Sequence, residues 1–177
     1  TASPFSIKPI GTLTMICVAS SPGPRSALTT VAENGEVQPN LATSWEVSED
    51  GLTYTFKLAE GVTFHDGSAL DAEDVVYSFD RAMGEDSVNP SKDIFEPIES
   101  VKAVDPQTVE ITLKAKDAFF LFNMGQGDSA IVASESAETN NANPVGSGPF
   151  KFDSWTRGDR LTLVKNPDHR DAADVAL

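Results

Sequence analysis

Between Ser44 and Gly67 the chain reads SWEVSEDGLTYTFKLAEGVTFHDG. Trp45 and Val47 share one parity; Leu52, Tyr54, Phe56 and Leu58 form a second apolar run, with Thr53, Thr55 and Lys57 between them. Strict alternation rich in aromatic and β-branched residues marks a strand with one buried face. Asp50-Gly51 separates the two runs. Glycine there supplies a positive φ, and aspartate can bond its own backbone, as a tight turn requires. The stretch Trp45–Leu58 is therefore expected to be a β-hairpin with one apolar face, which fixes its register. Glu60-Gly61 turns the chain again, Val62 and Phe64 continue as a strand, and Asp66-Gly67 ends it.

The same alternation recurs downstream. Ile98–Val104 and Thr108–Leu113 read as two strands joined by Asp105-Pro106-Gln107, and Pro149–Trp155 with Leu161–Lys165 as a last hairpin around Thr156–Asp159. Upstream, Thr12–Ala19 reads as a buried strand broken by SSPGP at Ser20–Pro24. Leu28–Val31 is a short strand before the turn Glu33-Asn34-Gly35-Glu36. A helix begins after Asp71, an N-cap residue followed by Glu73 and Asp74, whose charge the helix dipole favours. Its buried stripe is Val75, Phe79 and Ala82, flanked by Val76 and Met83, and Gly84 ends it. Gly84–Pro97 is a polar loop. Asp117–Met124 reads as a short apolar helix, Gly125–Asp128 as a loop, Ala130–Ala133 as a brief strand and Ser134–Asn143 as a helical turn plus loop. The sum is an α+β protein, mostly antiparallel sheet with short helices.

The 177 residues carry a net charge of -14, which disfavours nucleic acid and anionic membrane surfaces as partners. No apolar run is long enough to span a bilayer, and Thr1–Gly11 lacks the pattern of a signal peptide. These features fit a cytoplasmic chain or a mature exported one. The single Cys17 sits in an apolar run and reads as a small core residue; alone, it forms no internal disulfide.

Motifs for catalysis are sparse: no H-E-x-x-H, G-x-S-x-G, Walker loop or cysteine cluster occurs. His65 and His169 are the only histidines and read as solvent-exposed turn residues rather than a metal pair. Gly127-Asp128-Ser129 resembles a serine-nucleophile string but has no adjacent base. Gly146-Ser147-Gly148 runs into Pro149-Phe150 and a strand, whereas a phosphate cradle needs a helix N-terminus. No metal or other cofactor is expected.

Several of these strings occur together in a way that resembles one family. They are Pro39–Ala42, Ser44–Leu58, Gly61–Gly67, Leu70–Phe79, Pro144–Phe152 and Lys165-Asn166-Pro167. This combination resembles the peptide/nickel/opine class (family 5) of ABC-importer solute-binding proteins, over roughly Glu33 to Pro167. Three features depart from that pattern: the family is much longer, SPGPRSALTTVAEN is short between Ser20 and Gly35, and Ala59 and His169-Arg170 replace a basic residue and an aromatic pair.

The resemblance implies part of a type II periplasmic-binding-protein clamshell, in which a ligand is held between two closing lobes. Residues 1–32 would start the main lobe, 33–143 would form an inserted α+β subdomain, and 144–177 would return to the main lobe. The implied role is not enzymatic. It is capture of a peptide or similar polar solute outside the inner membrane and delivery to ABC permease subunits, with this chain an N-terminal fragment. Ser20 and Ser21, after the first strand, and Gln126 and Asp128, after the short apolar helix, would face the ligand cleft. Both stretches are polar and contain Gly or Pro, which suits contact with a ligand. Two other readings compete: a shortened interaction or scaffold module without a transport ligand, and a small hydrolase using Ser129 or an acid pair.

Overall fold

The structure is a computed structural model that describes residues 5–7, 26–140, 142–156 and 159–173. In chain order its elements are β1 (Phe5–Ile7), β2 (Thr29–Val31), β3 (Val37–Pro39), β4 (Ala42–Val47), β5 (Thr53–Leu58), α1 (Ala72–Met83), β6 (Ile98–Asp105), β7 (Thr108–Leu113), α2 (Phe120–Asn123), β8 (Phe150–Thr156) and β9 (Arg160–Lys165). Two 3-10 turns add Lys92–Phe95 and Gly127–Ser129. Among the described residues the strands form three antiparallel sheets: β4-β5-β7-β6, β1-β9-β8 and the ribbon β2-β3. The α+β, mainly antiparallel expectation holds.

The four-stranded sheet has two chemically distinct faces because directly opposed residues share a side. One cross-strand row is Trp45, Phe56, Val109 and Ala103; the next is Val47, Tyr54, Ile111 and Val101. On the reverse face, Glu46, Thr55, Glu110 and Lys102 stand in line. The expected hairpin is thus β4–β5. Tyr54 is 8% and Phe56 0% exposed, while Lys57 points outward and its ammonium donates to the Thr108 hydroxyl at 2.7 Å. Val47, at the end of its row on the edge strand, is exposed.

Two elements cover the apolar face. The Phe120 ring of α2 lies with its centroid 4.7 Å from that of Tyr54 and 6.5 Å from that of Phe56. Helix α1 packs over β6 and β7, and its Phe79 meets Phe95 at 5.6 Å. Burying a side chain of this size contributes ~1.5–3 kcal/mol by transfer alone. Helix α1 starts where its caps dictate. The Asp71 carboxylate accepts from the N–H groups of Glu73 (2.9 Å) and Asp74 (3.4 Å), and Asp74 accepts from the Asp71 N–H at 3.1 Å. This reciprocal box satisfies donors that have no partner inside the helix.

Several segments differ from the sequence expectation. The buried face of α1 contains Asp74 and Ser78 beside Val75 and Phe79, whereas Ala82 and Met83 are only half-buried. Gly84 does end α1, but with extended backbone (φ -55°, ψ 156°) rather than a left-handed cap. Helix α2 is a single turn, because Asp117 caps the Phe119 N–H at 2.8 Å and delays helix entry; Phe119 is left 70% exposed. Val62–Phe64 is not a strand: the Phe64 N–H bonds back to the Ser68 carbonyl, closing a tight turn. Ala130–Ala133 forms only a bridge from Ile131 to Ser26, because the Val132 N–H is taken by the Ser78 hydroxyl at 2.9 Å. The polar loop 84–97 holds a turn that buries Phe95. Strands β1 and β3 were not anticipated. The expected strand Thr12–Ala19, the break at Ser20–Pro24 and Cys17 lie outside the described residues.

Candidate functional site

The turn after α2 is positioned by β2. The Thr29 hydroxyl donates to the Leu121 carbonyl at 2.9 Å, and the Thr29 N–H to the Met124 carbonyl at 3.4 Å. Gly125 allows this approach: a Cβ there would meet Thr29 Oγ1 and Val31 Cγ2 at 3.1 Å, tighter than ordinary contact. The chain then reaches Gln126 and Asp128. Gln126 is half-buried, and its carbonyl accepts from the Ser129 N–H (3.1 Å) and hydroxyl (2.7 Å). Asp128 is exposed. Its carboxylate accepts from the Ser91 hydroxyl at 2.6 Å, and its carbonyl from the Asn89 amide at 2.8 Å.

Asn89 and Ser91 therefore belong with Gln126 and Asp128 in one polar patch. In sequence they fall within the polar loop 84–97, where Asn89-Pro90-Ser91 is the one signal, as turn chemistry, that marks them. Ser20 and Ser21 lie outside the described residues. Ser129, the candidate nucleophile, is 1% exposed and its hydroxyl donates to the Gln126 carbonyl. A hydroxyl held that way faces neither solvent nor a base.

His65 also departs from expectation. It is half-buried, and both ring nitrogens are engaged. The Gly146 N–H donates to Nδ1 at 3.2 Å, Nε2 is 2.9 Å from the Gly148 carbonyl, and the His65 N–H donates to the Gly146 carbonyl at 2.8 Å. Burial pushes the imidazole below its usual pKa; the Gly148 carbonyl opposes that shift, Lys151 and His169 reinforce it, and Asp66 opposes it. The turn that aims His65 is stiff. The Asp66 carboxylate accepts from the Ser68 N–H and hydroxyl at 3.0 and 2.7 Å, and Gly67 has φ +91°, which favours glycine. Asn166, 2% exposed, joins the same carbonyl: its amide donates to Gly148 at 3.3 Å and its N–H to Pro149 at 2.8 Å.

A second fastening lies nearby in the chain. The Arg170 guanidinium donates to the carbonyl and side-chain oxygen of Asn40 at 2.7 and 2.9 Å. Together, His65 and Arg170 tie the segment carrying β8 and β9 to the loops bordering the four-stranded sheet. The His169 ring, in contrast to that of His65, accepts from a near neighbour, the Asp171 N–H at 3.1 Å. Among the described residues, no three His, Cys, Asp or Glu side chains gather as metal ligands.

Superposition on solved structures shows this arrangement to be part of a type II periplasmic-binding-protein fold. NikZ from Campylobacter jejuni, solved in complex with Ni(L-His), superposes with a TM-score of 0.77 at 31% identity, over 83% of this chain and 31% of that one. The chain belongs to the bacterial extracellular solute-binding proteins of family 5: the model described as "Bacterial extracellular solute-binding proteins, family 5 Middle" matches residues 36–176. The glutathione-binding protein GsiB of Pectobacterium atrosepticum is 40% identical over 130 residues, covering 71% of this chain and 25% of that protein. The dipeptide-binding protein of Escherichia coli is 37% identical over 154 residues, covering 71% of this chain and 28% of that protein. The chain thus spans between 25% and 31% of the length of these relatives.

Proposed function

We propose that the chain is part of the extracytoplasmic solute-binding component of an ABC importer. It contributes to capture of a peptide or similar polar solute, which the full-length protein hands to permease subunits at the membrane. The observation that carries this reading is the family match over residues 36–176. The ligands named for these three relatives, glutathione, a dipeptide and a nickel–histidine complex, are small and polar, which supports a solute of that class. The role is binding and release without turnover.

Within that reading, residues 1–32 and 144–177 belong to a main lobe and 33–143 to an inserted subdomain. In support, β1 from the first segment pairs with β9 from the last, while the four-stranded sheet lies wholly inside 33–143. Gln126 and Asp128, with Ser20 and Ser21, are the proposed ligand-facing residues.

The test is calorimetric titration of glutathione, dipeptides and nickel–histidine into this chain and into the protein translated from the full reading frame. A clamshell buries ~70–90% of a small ligand's surface, and one incomplete lobe supplies only part of that enclosure. The long form is expected to bind one of these solutes, with affinity reduced in Asp128→Ala and Gln126→Ala, and the 177-residue chain to bind none tightly. Micromolar binding by the short chain, or hydrolysis of any peptide tested, would overturn the proposal.

A further inference from the structure

Among the described residues, side chains of His65 and Arg170 fasten the 142–173 segment to the loops bordering the four-stranded sheet, and the two fastenings differ in kind. Arg170 on Asn40 is a guanidinium contact that stays charged at any ordinary pH. His65 on Gly146 and Gly148 is an imidazole contact, and imidazole is the side chain whose charge changes in the mildly acidic range. The hydrogen bonds require one protonation state. Nδ1 accepts the Gly146 N–H at 3.2 Å, so it carries no proton; Nε2, 2.9 Å from the Gly148 carbonyl, is then the protonated, donating nitrogen. A second proton on Nδ1 would set a donor against the Gly146 N–H and leave that buried amide without an acceptor.

We propose that His65 is a pH-sensitive latch: protonation of its ring releases the Gly146 N–H, while the His65 N–H on the Gly146 carbonyl, Nε2 and Asn166 on the Gly148 carbonyl, and Arg170 on Asn40 keep their contacts. Other charges around the ring bear on its protonation. Lys151 from β8, ion-paired with Asp168 at 3.2 Å, and His169 from the segment after β9 oppose it. Asp66 from the ring's own turn favours it, but its carboxylate is already occupied by Ser68. The closed latch therefore binds its proton less readily than a free imidazole. From about pH 6.5, the value of a free imidazole, down to the lower pKa of the closed ring, each pH unit should raise the open population about tenfold. Acid opens the latch and neutral pH closes it.

The device is read by amide hydrogen exchange on the whole chain, each rate normalised to the intrinsic rate at that pH. From about pH 7.5 to about pH 5 the Gly146 amide should lose protection by roughly tenfold or more, while amides of β5 and β7 keep theirs. In His65→Gln, whose amide can donate and accept without titrating, Gly146 protection should not follow pH. Three results would each overturn the proposal: constant Gly146 protection in the wild-type chain, an equal loss in His65→Gln, or simultaneous loss at β5 and β7, which would signify global unfolding.

Discussion

Ser78 and Val132, separated by 54 residues, meet through a single buried hydroxyl: the Val132 N–H donates to Ser78 Oγ at 2.9 Å, and that oxygen lies 3.1 Å from the Val132 carbonyl and 2.7 Å from the Asp74 carbonyl. One side chain on α1 thus substitutes for a strand partner. Replacing it by alanine would leave a buried N–H without an acceptor, at a cost of about 1–3 kcal/mol. Urea denaturation of Ser78→Ala should show a lower midpoint with an unchanged slope. An unchanged midpoint would mean that water serves Val132 equally well.

Phe56 lies at the centre of the apolar face, with ring centroids of Trp45, Tyr54 and Phe120 all within 6.5 Å. Phe56→Ala removes transfer free energy and leaves a cavity, and should cost about 3–5 kcal/mol. Thermal unfolding followed by near-ultraviolet circular dichroism reports both the lowered midpoint and the loosened aromatic cluster. A cost under about 1 kcal/mol would show that the cluster collapses freely.

Asp71→Ala removes the acceptor for the Glu73 and Asp74 N–H groups and should cost about 1 kcal/mol. Asp71→Asn should recover most of this loss in a denaturation series, because the amide oxygen can still accept. Equal losses in both variants would place the effect in charge rather than in the cap.

Asp74 is buried, and burial raises its carboxyl pKa above 3.8 despite hydrogen bonds from the Asp71 and Ser134 N–H groups. Because the folded-state pKa is raised, the carboxyl's contribution to stability is present below 3.8 and is lost as pH rises through its folded value. Stability of Asp74→Asn relative to wild type should therefore increase over that rise. A difference that is flat in pH, measured by denaturation at several values, would show that the two N–H donors fully compensate burial.

What could be read from the sequence follows from the range of the forces involved. The hairpins were legible because alternation and Asp-Gly turns are local signals: the Asp50 carboxylate accepts from the Leu52 N–H at 3.0 Å, two residues on. The cap at Asp71 was legible for the same reason. Asp117–Met124 holds the expected short helix, but as a single turn that buries Phe120 and Met124 and leaves Phe119 exposed. Ala130–Ala133 misled because its partner is a helix side chain. Of the candidate site, the turn at Gln126–Asp128 was visible as polar loop chemistry, but Ser91, 37 residues upstream of Asp128, was not. The engagement of His65 depends on Gly146, 81 residues later, and no local pattern encodes it.

Strand β1 pairs with β9 in the register Phe5 with Leu163, so the outer sheet joins the two far ends of the described chain. Every contact within the four-stranded sheet, by contrast, is made between residues 42 and 113. Loop-closure entropy opposes the distant pairing more than the near ones. During synthesis the inner sheet can complete its hydrogen bonds while β9 is still unmade, and β1 must wait with an open edge. That interval exposes an unpaired strand to other chains. The order of assembly, rather than final stability alone, therefore sets where this chain is most prone to aggregate.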